Sequence, residues 1–471
     1  MFQILLALTL VFASSAIAQI ESGRAELPPA PSTQRQALLL AADAALPPQT
    51  QQSPQPPAQS PAQATPLPAG KPAPGSRQVT LDQAIELALA NNPNLRATRK
   101  QVDESVAQEV TANLRPNPVL TGDSQFLPIF NPSQFTTNTL DTLSQFDIGI
   151  GYLFERGGKR RNRLQAARDA TAVTRSQIVD AERTLTFNVA QQFVNALLAK
   201  SNLDFAAEDL NSFQQTVNIS EERYKLGDIS EGDFLKIKLQ LLQFQTDVAQ
   251  ARVAKAQALI NLRQLMGYES VPRDYDVAGD LEYVPLTARR EDLQAKALEQ
   301  RPDLRAARQG ITAAQSQVSL ARANGKVDPT ISTNFSHLSG ASSSSWFVNI
   351  PLPVFNRNQG EISRTLFAVD QSRFAATSAE EGVLADVSNA WESASSNEEI
   401  VKLYTSGYVK QAQESRDISN YAYKAGAATL LDLLDAERSY RATQLASRQA
   451  LAAYMTSLEQ LKQAVGTRSL P

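Results

Sequence analysis

One stretch of the sequence occurs twice, and this duplication constrains the fold more than any other feature. Residues 219–267 and 418–466 align without a gap at an offset of 199 residues. Each copy contains a Tyr-Lys pair, a glycine two residues after the lysine, and an aspartate six residues after that glycine. Glycine permits the left-handed backbone that ends many helices, so we predict that Gly227 and Gly426 lie at the turns of two helical hairpins.

The N-terminal region has the composition of an exported protein. Residues 1–18 contain an apolar run followed by Ala16-Ile17-Ala18, which predicts a cleavable signal peptide. Residues 19–76 are rich in Pro, Gln and Ala, which predicts a disordered leader. The net charge of −3 gives no indication of nucleic-acid binding. The chain has no cysteine and therefore no disulfide. No later apolar run approaches the roughly 20 residues of a membrane helix, so crossing a membrane would require strands.

Helical patterns fill most of the remaining sequence. Thr80 begins a capping box that predicts a helix to about residue 90, and Pro93 starts a second helix to about residue 114. A long helix is predicted from the segment after Gly158 to Lys225, with one break near residues 201–202. The plan recurs after a linker, with a helix of about 45 residues before the second hairpin. We therefore predict two repeats, 77–267 and 290–471, joined by the linker 268–289.

Between the helices, the apolar period changes from helical to alternating. Residues 145–154 alternate strictly, which predicts a half-buried strand, and a weaker strand is expected at 119–127 before an irregular loop. The second repeat contains strand-like runs at 330–338 and 344–355. Pro351 and Pro353 predict a frayed or edge position for the end of the last run. Each repeat thus contributes two strands.

Four strands are too few to close a membrane barrel, and open strand edges are not tolerated in lipid. Two copies of the chain would give eight strands, a number whose interior is filled by side chains. Three copies give twelve strands with room for a conduit, and cyclic symmetry permits that closure. The predicted fold class is therefore mainly α with a membrane β-barrel portion, in which a homotrimer forms a twelve-strand barrel on a long helical tube.

The sequence combines the doubled plan, the related segments NNPNL at 91–95 and QRPDL at 300–304, and the Tyr-x-x-Gly…Asp pattern at the two hairpin tips. In these features it resembles the outer-membrane efflux proteins of the TolC type over residues 79–466. The segment FERGGKR at 154–160 most resembles the heavy-metal (cobalt–zinc–cadmium) branch. The resemblance implies a passive, non-enzymatic homotrimeric duct in outer-membrane lipid. It also implies a periplasmic adaptor and an inner-membrane transporter of the RND type as partners, and no cofactor. A soluble coiled-coil protein of the cell envelope is the alternative, which explains the helices but not the alternating strand.

The resemblance also implies roles for acidic residues near the second tip. Asp432 and Asp435 match the residues that form the periplasmic gate in the family, and their separation of three puts both carboxylates on one helix face. Three chains would collect them into a ring that attracts cations. The alternative is that both are ordinary solvated surface acids.

Further tip residues match family contacts. Tyr423 and Asp233 match a link that holds the closed state, although Tyr423 could equally pack at a helix end. A second, arginine-based link is not matched, because Ala428 and Gly232 occupy its positions. Gly227 and Gly426 lie where the family meets its adaptor, and the alternative is that they only cap helices.

Two remaining patterns bear on ligands. The basic residues after Gly158 could contact lipid headgroups, anchor the junction of sheet and helix, or form a solvated helix start, which is the interpretation favoured by the sequence. Those residues are Lys159, Arg160, Arg161 and Arg163. With one histidine, His337, and no cysteine, we predict no metal site and no nucleophile–base pair that uses histidine, which leaves a pair of Asp or Glu residues as the open alternative.

Overall fold

The computed structural model describes residues 78–470 except 128, 135 and 143. The signal peptide and leader predicted for residues 1–76 lie outside the described residues. The first repeat contains the following elements, in order: β1 Gln78–Val79, α1 Leu81–Asn91, α2 Pro93–Ala112, β2 Val119–Gln125, α3 Thr137–Thr142, β3 Gln145–Leu153, α4 Lys159–Lys225 and α5 Glu231–Met266.

The linker contains one short strand, β4 Asp276–Val277. The second repeat follows the same plan as the first, with the elements α6 Arg290–Gln300, α7 Pro302–Asn324, β5 Thr330–Leu338, β6 Ala341–Asn349, α8 Gln359–Leu403, a π-helical turn at Tyr404–Tyr408, α9 Val409–Lys424 and α10 Leu430–Val465. The strands β1 and β4 form a two-residue parallel pair that the sequence did not predict. No helix within the described residues combines the length and the apolar composition that crossing a membrane requires.

The duplicated stretch forms two helical hairpins, as predicted. The helices α4 and α5 flank the first turn and α9 and α10 the second, and Gly227 and Gly426 adopt φ values of 81° and 75°. The N-cap side chains of Ser230 and Thr429 accept hydrogen bonds from the third residue of the helix that follows each turn. The sequence thus terminates and restarts the helices by the same local chemistry in both copies.

The residue before each repeated proline ties its repeat together. Asn92 caps α2 through the Leu95 backbone N–H and donates 2.9 Å to the carbonyl of Leu265, near the end of α5. Arg301, before the second proline, donates 3.2 Å to the carbonyl of Ala464, near the end of α10. The two carbonyls are 199 residues apart, so the internal repeat extends to tertiary contacts.

The long helices of the two repeats differ in continuity. The helix α4 runs unbroken through residues 201–202, so the predicted break there is wrong. That segment contains neither glycine nor proline, and the buried Leu197 and Phe205 hold its successive turns against the core. In the second repeat the matching helix is interrupted at the π-helical turn, where Gly407 has a φ of 136°. This interruption was not predicted.

The sheet has the order β2-β3-β5-β6, and every neighbouring pair is antiparallel. The predicted bounds of β5 are confirmed, and β3 ends one residue earlier than predicted. The last strand runs from Ala341 to Asn349, so the predicted range 344–355 is wrong, because Pro351 and Pro353 lie beyond the strand. The loop between β2 and β3 is not wholly irregular, because it contains α3.

The two faces of the sheet differ in polarity. Residues opposite one another in register share a face, so one face carries Asp123, Asp147 and Ser336 while the other carries Ile148 and Phe335. The apolar face lies exposed in the protomer, with Trp346 at 75% exposure. An exposed apolar face of this extent indicates contact with lipid or with another protein.

The hairpin helices form a layer in the order α5-α4-α10-α9, because α5 packs along α4, α4 along α10, and α10 along α9. Toward the sheet, α2, α7 and α8 continue this packing. Three buried apolar clusters hold the layer together. Their central residues are Val189, Leu262 and Met266 in the first, Leu293, Val383 and Leu461 in the second, and Phe213, Ile237 and Leu433 in the third.

Candidate functional site

The structure brings the two hairpin tips of one protomer together. The Arg223 guanidinium, in the last turn of α4, donates a 2.8 Å hydrogen bond to the backbone carbonyl of Tyr423 at the end of α9. It also lies 5.2 Å from the centre of the Tyr423 ring, within the range of a cation–π contact. Arg223 therefore connects the first hairpin to the second, a contact that the sequence did not reveal.

The two predicted gate residues occupy successive turns at the start of α10. The Asp432 carboxylate accepts hydrogen bonds from the Thr429 hydroxyl (2.7 Å) and backbone N–H (3.0 Å), and these bonds hold its pKa below the usual value. Asp435 is exposed and lies 3.5 Å from Arg438. Asp432 thus closes a capping box, whereas Asp435 makes no hydrogen bond to the backbone of another described residue.

The structure does not bring Tyr423 and Asp233 into hydrogen-bond contact within the protomer. The Tyr423 side chain is buried, and its hydroxyl lies 3.4 Å from the Ser220 hydroxyl. The Asp233 carboxylate accepts from Lys236 (3.1 Å) and Ser230 (2.9 Å), and these bonds hold its pKa below the usual value. The Tyr423–Asp233 link stays a prediction.

The glycines at the tips have open surroundings. A side chain at Gly227 would meet no atom within 4 Å, and one at Gly426 would meet only the Arg223 guanidinium at 3.8 Å. Their positive φ values, rather than lack of space, therefore account for the glycines. The exposed Leu226 beside Gly227 leaves an apolar surface at the first tip.

A buried ionic cluster lies further along the hairpins and is formed by residues from all four helices of the layer. Asp209 of α4 and Asp247 of α5 both form ion pairs with Arg441 of α10. The Asp209–Arg441 separation is 2.9 Å, but its geometry is not that of a hydrogen bond. Glu437, also on α10, is buried and makes no hydrogen bond or ion pair with another described residue. Arg416 of α9 contributes a second cation to the cluster.

Burial dominates the electrostatics of this cluster. It raises the pKa of Asp209 to about 6, against the opposing effect of Arg441, and the pKa of Glu437 to about 7, where the negative charge of Asp209 adds to the shift. Two carboxyl groups thus titrate near neutral pH inside the helical layer. Among residues 78–470, apart from the gaps, no three His, Asp or Glu side chains are grouped to hold a metal ion.

The ion pairs of this cluster were not predicted, because Asp209 and Asp247 lie far from Arg441 in the chain. Isolated charges such as Asp209 and Asp247 are usually solvated on a helix surface. Only a helical-wheel comparison would have placed Asp209 on the same face as the apolar Phe205 and Phe213, which are buried in the structure.

The comparisons with known proteins agree with this architecture. The profile of the family described as "Outer membrane efflux protein" matches residues 84–268 and 293–467, well over half of the chain. Among curated relatives, the cobalt-zinc-cadmium resistance protein CzcC of Cupriavidus metallidurans is 24% identical over 77% of this chain and 84% of its own length. The cation efflux system protein CusC of Escherichia coli is 28% identical over 76% of this chain and 80% of its own.

Solved structures of similar fold include CusC, in a study of transmembrane channel formation, with a TM-score of 0.67 at 23% identity over 82% of this chain and 92% of that chain. The outer membrane protein VceC of Vibrio cholerae has a TM-score of 0.65 at 20% identity over 82% of this chain and 96% of that chain. At these identities the structural likeness establishes the fold.

Proposed function

The chain belongs to the outer membrane efflux protein family, and from that membership we propose that three copies assemble into a passive duct through the outer membrane and periplasm. In this assembly the three sheets close into a twelve-strand barrel and the helical layers into a tube. The soluble coiled-coil alternative is not favoured by the family match. The duct has no chemical step of its own, and the driving force comes from its partners.

The observation that carries the assembly is an exposed apolar seam on α5. Apolar or small residues recur at alternating intervals of four and three, the heptad spacing of a helix that packs against another helix. Leu239 on this seam is 68% exposed in the protomer. The full seam consists of Leu235, Leu239, Leu242, Thr246, Ala249, Val253, Ala256 and Ile260, all exposed.

The seam lies at one edge of the helical layer. Since the order is α5-α4-α10-α9, the opposite edge is formed by α9 and by α8 above it. Exposed apolar residues occur there too, including Leu403, Ile418 and Tyr421. Packing α5 of one copy on the α8–α9 edge of the next is a head-to-tail contact, which closes into a ring when the rotation permits.

The sheet supports the same assembly. Its outer strands, β2 and β6, each have one edge that pairs with no other strand of the described residues. Pairing β6 of one copy with β2 of the next would satisfy both edges. The apolar face of the sheet would then contact lipid, and the polar face with Asp123 and Asp147 would line the conduit.

Partners and cargo follow from the relatives. The relatives CzcC and CusC are named for resistance to cobalt, zinc and cadmium and for cation efflux, so heavy-metal cations are the proposed cargo. We expect a periplasmic adaptor to contact the tips around Gly227 and Gly426, and an RND-type transporter to drive export. Asp432 and Asp435 are the proposed gate, and Tyr423 with Asp233 the proposed closed-state link.

The assembly is tested by placing charges in the seam. Leu239→Glu combined with Leu242→Glu should abolish the trimer in detergent and the single-channel conductance in planar bilayers, because buried unpaired carboxylates oppose helix packing. Gln245→Glu, on the exposed polar surface of the same helix, is the matched control. A trimeric double variant with unchanged conductance would overturn the proposed packing.

The cargo is tested separately by deletion of the gene. Loss of the duct should sensitise cells to cobalt, zinc or cadmium salts, and the intact gene should restore growth. Sensitivity to dyes or antibiotics alone would refute the export of heavy metals but would not contradict the proposal that the protein forms a duct.

A further inference from the structure

Cations are unevenly distributed between the two ends of the sheet. The segments 116–155 and 327–356 contain all four strands and no lysine or arginine. Because neighbouring strands are antiparallel, the start of β2, the end of β3, the start of β5 and the end of β6 lie at one end of the sheet. Each of these four strand ends is followed or preceded by cations. This helix-proximal end, called here the basic edge, carries Arg115, Arg156, Arg160, Arg161, Lys326 and Arg357.

The carboxylates near the basic edge are already paired with other cations. Lys159 forms an ion pair with Asp328, and Arg163 forms one with Glu155 at 2.7 Å. Arg163 also donates to the carbonyls of Ala112 and Leu114, so it anchors α4 to the end of α2. The interpretation of the cluster as a solvated helix start is therefore wrong for Lys159 and Arg163, which anchor the junction.

The side chains of the six basic-edge residues have no acidic partner among the described residues, although the Arg156 backbone N–H donates a 2.8 Å hydrogen bond to Asp328. All six are exposed, and none forms an ion pair. The turn at Gly157–Gly158 gathers two of them, since the Lys326 side chain lies against Gly157 and the Arg161 guanidinium lies beside Gly158. A cluster of like charges without counter-ions is electrostatically costly unless an external anion balances it.

The position of the basic edge identifies that anion. It borders the apolar face of the sheet, where Tyr152 and Phe154 form an edge-to-face ring pair with centres 4.9 Å apart. Aromatic residues beside cations are typical of the level of the lipid headgroups. On the proposed membrane placement, we infer that the basic edge binds the phosphate groups of anionic phospholipids in the inner leaflet of the outer membrane.

The full-length protein in vesicles provides a direct test. Trp346 lies on the apolar face of β6, three residues from the helix-proximal end of the strand, whereas Trp391 lies on α8 with its indole N–H near the Ala288 carbonyl. Lipids with brominated acyl chains should therefore quench the fluorescence of Trp346 and not that of Trp391. Brominated phosphatidylglycerol, at a low fraction in zwitterionic vesicles, should compete for the site on the order of fivefold better than brominated phosphatidylcholine. Added salt should reduce this preference.

Two multiple variants make the test specific. In the edge variant, Arg115, Arg156, Arg160, Arg161 and Lys326 are each replaced by glutamine, and the preference for phosphatidylglycerol should be lost. The control variant replaces five exposed cations of the helical part that form no ion pair, and it should keep the preference. Those residues are Arg96, Arg175, Arg252, Arg273 and Arg305. Circular dichroism of both variants verifies that the fold is intact.

The outcomes separate this inference from the proposed function on which it rests. Equal quenching of the unaltered protein by the two brominated lipids, or a preference that persists in the edge variant, would overturn lipid recognition and leave the duct standing. Absence of quenching by either lipid would overturn the membrane placement of the sheet, and the inference with it.

Discussion

Replacing Glu437 with glutamine should stabilise the helical layer at alkaline pH. The Glu437 carboxyl is buried and has no hydrogen-bond partner among the described residues. The gap between its ordinary pKa of 4.5 and the raised value of about 7 corresponds to about 3 kcal/mol against the ionised form. Glutamine has nearly the same shape and no charge, so the variant should recover most of this energy at about pH 8.

The direction in which stability changes with pH follows from the number of protons bound by the folded and unfolded chains. Between about pH 4.5 and pH 7 the folded protein holds a proton on Glu437 that the unfolded chain has released, so stability falls as the pH rises through this window. The raised pKa of Asp209, about 6, acts in the same direction. The unaltered protein should therefore be more stable at about pH 5 than at about pH 8, and Glu437→Gln should weaken this dependence.

The measurement is the midpoint of thermal loss of the helical circular-dichroism signal in detergent at both pH values. Glu398 provides a control of opposite sign. Burial opposes ionisation there too, but hydrogen bonds from Tyr283 (2.7 Å) and Lys402 hold its pKa below the usual value. Glu398→Gln should therefore lower the midpoint at alkaline pH. A Glu437→Gln variant that loses stability at alkaline pH would refute the reasoning.

Three further predictions concern the tips and the helix interruption. Arg223→Gln should loosen the contact with Tyr423 and raise the frequency of channel openings in planar bilayers. Unchanged gating would show that this contact does not hold the closed state. Asp432→Asn should cost up to about 1 kcal/mol of stability, because it removes a carboxylate from the first turn of α10. Asp435→Asn should leave the melting midpoint unchanged, and both variants should reduce block by divalent cations if the two residues form the gate. Gly407→Ala should destabilise the protein by about 1–3 kcal/mol because alanine is strained at positive φ, which a lower melting midpoint would reveal.

Local chemistry explains which parts of the fold were predictable. The Thr80 side chain caps the start of α1, and Gly227, which has no side chain, permits the positive φ at the end of α4. Both helix ends could therefore be predicted from the sequence. Strict alternation located β3 to within one residue because one face of the sheet is apolar and the other polar.

The features that were missed depend on contacts between distant segments. The β1–β4 pair joins residues about two hundred positions apart through only two residues each, too short for a periodic pattern. Asp209 and Arg441 form their ion pair only after two hairpins pack together. The interruption at Gly407 was missed for a different reason, because an isolated glycine inside a helical pattern predicts a break only weakly.

Of the candidate site, the sequence predicted the positions of the tips and not their connections. The turns at Gly227 and Gly426 are local and were correct, whereas the Arg223–Tyr423 contact requires the two tips to be adjacent. The roles of Asp432, Asp435 and the adaptor surface come from the family resemblance and remain predictions.

The π-helical turn at Gly407 makes the two halves of the chain mechanically unequal. The same stretch of the first repeat, around Glu208, is continuous helix, while the second is divided into segments of 45 and 16 residues. In a threefold ring, three continuous α4 helices would alternate with three α8–α9 pairs that each contain the π-helical turn. Bending would then concentrate at these turns, so the diameter of the tube could change while the α4 helices kept their positions.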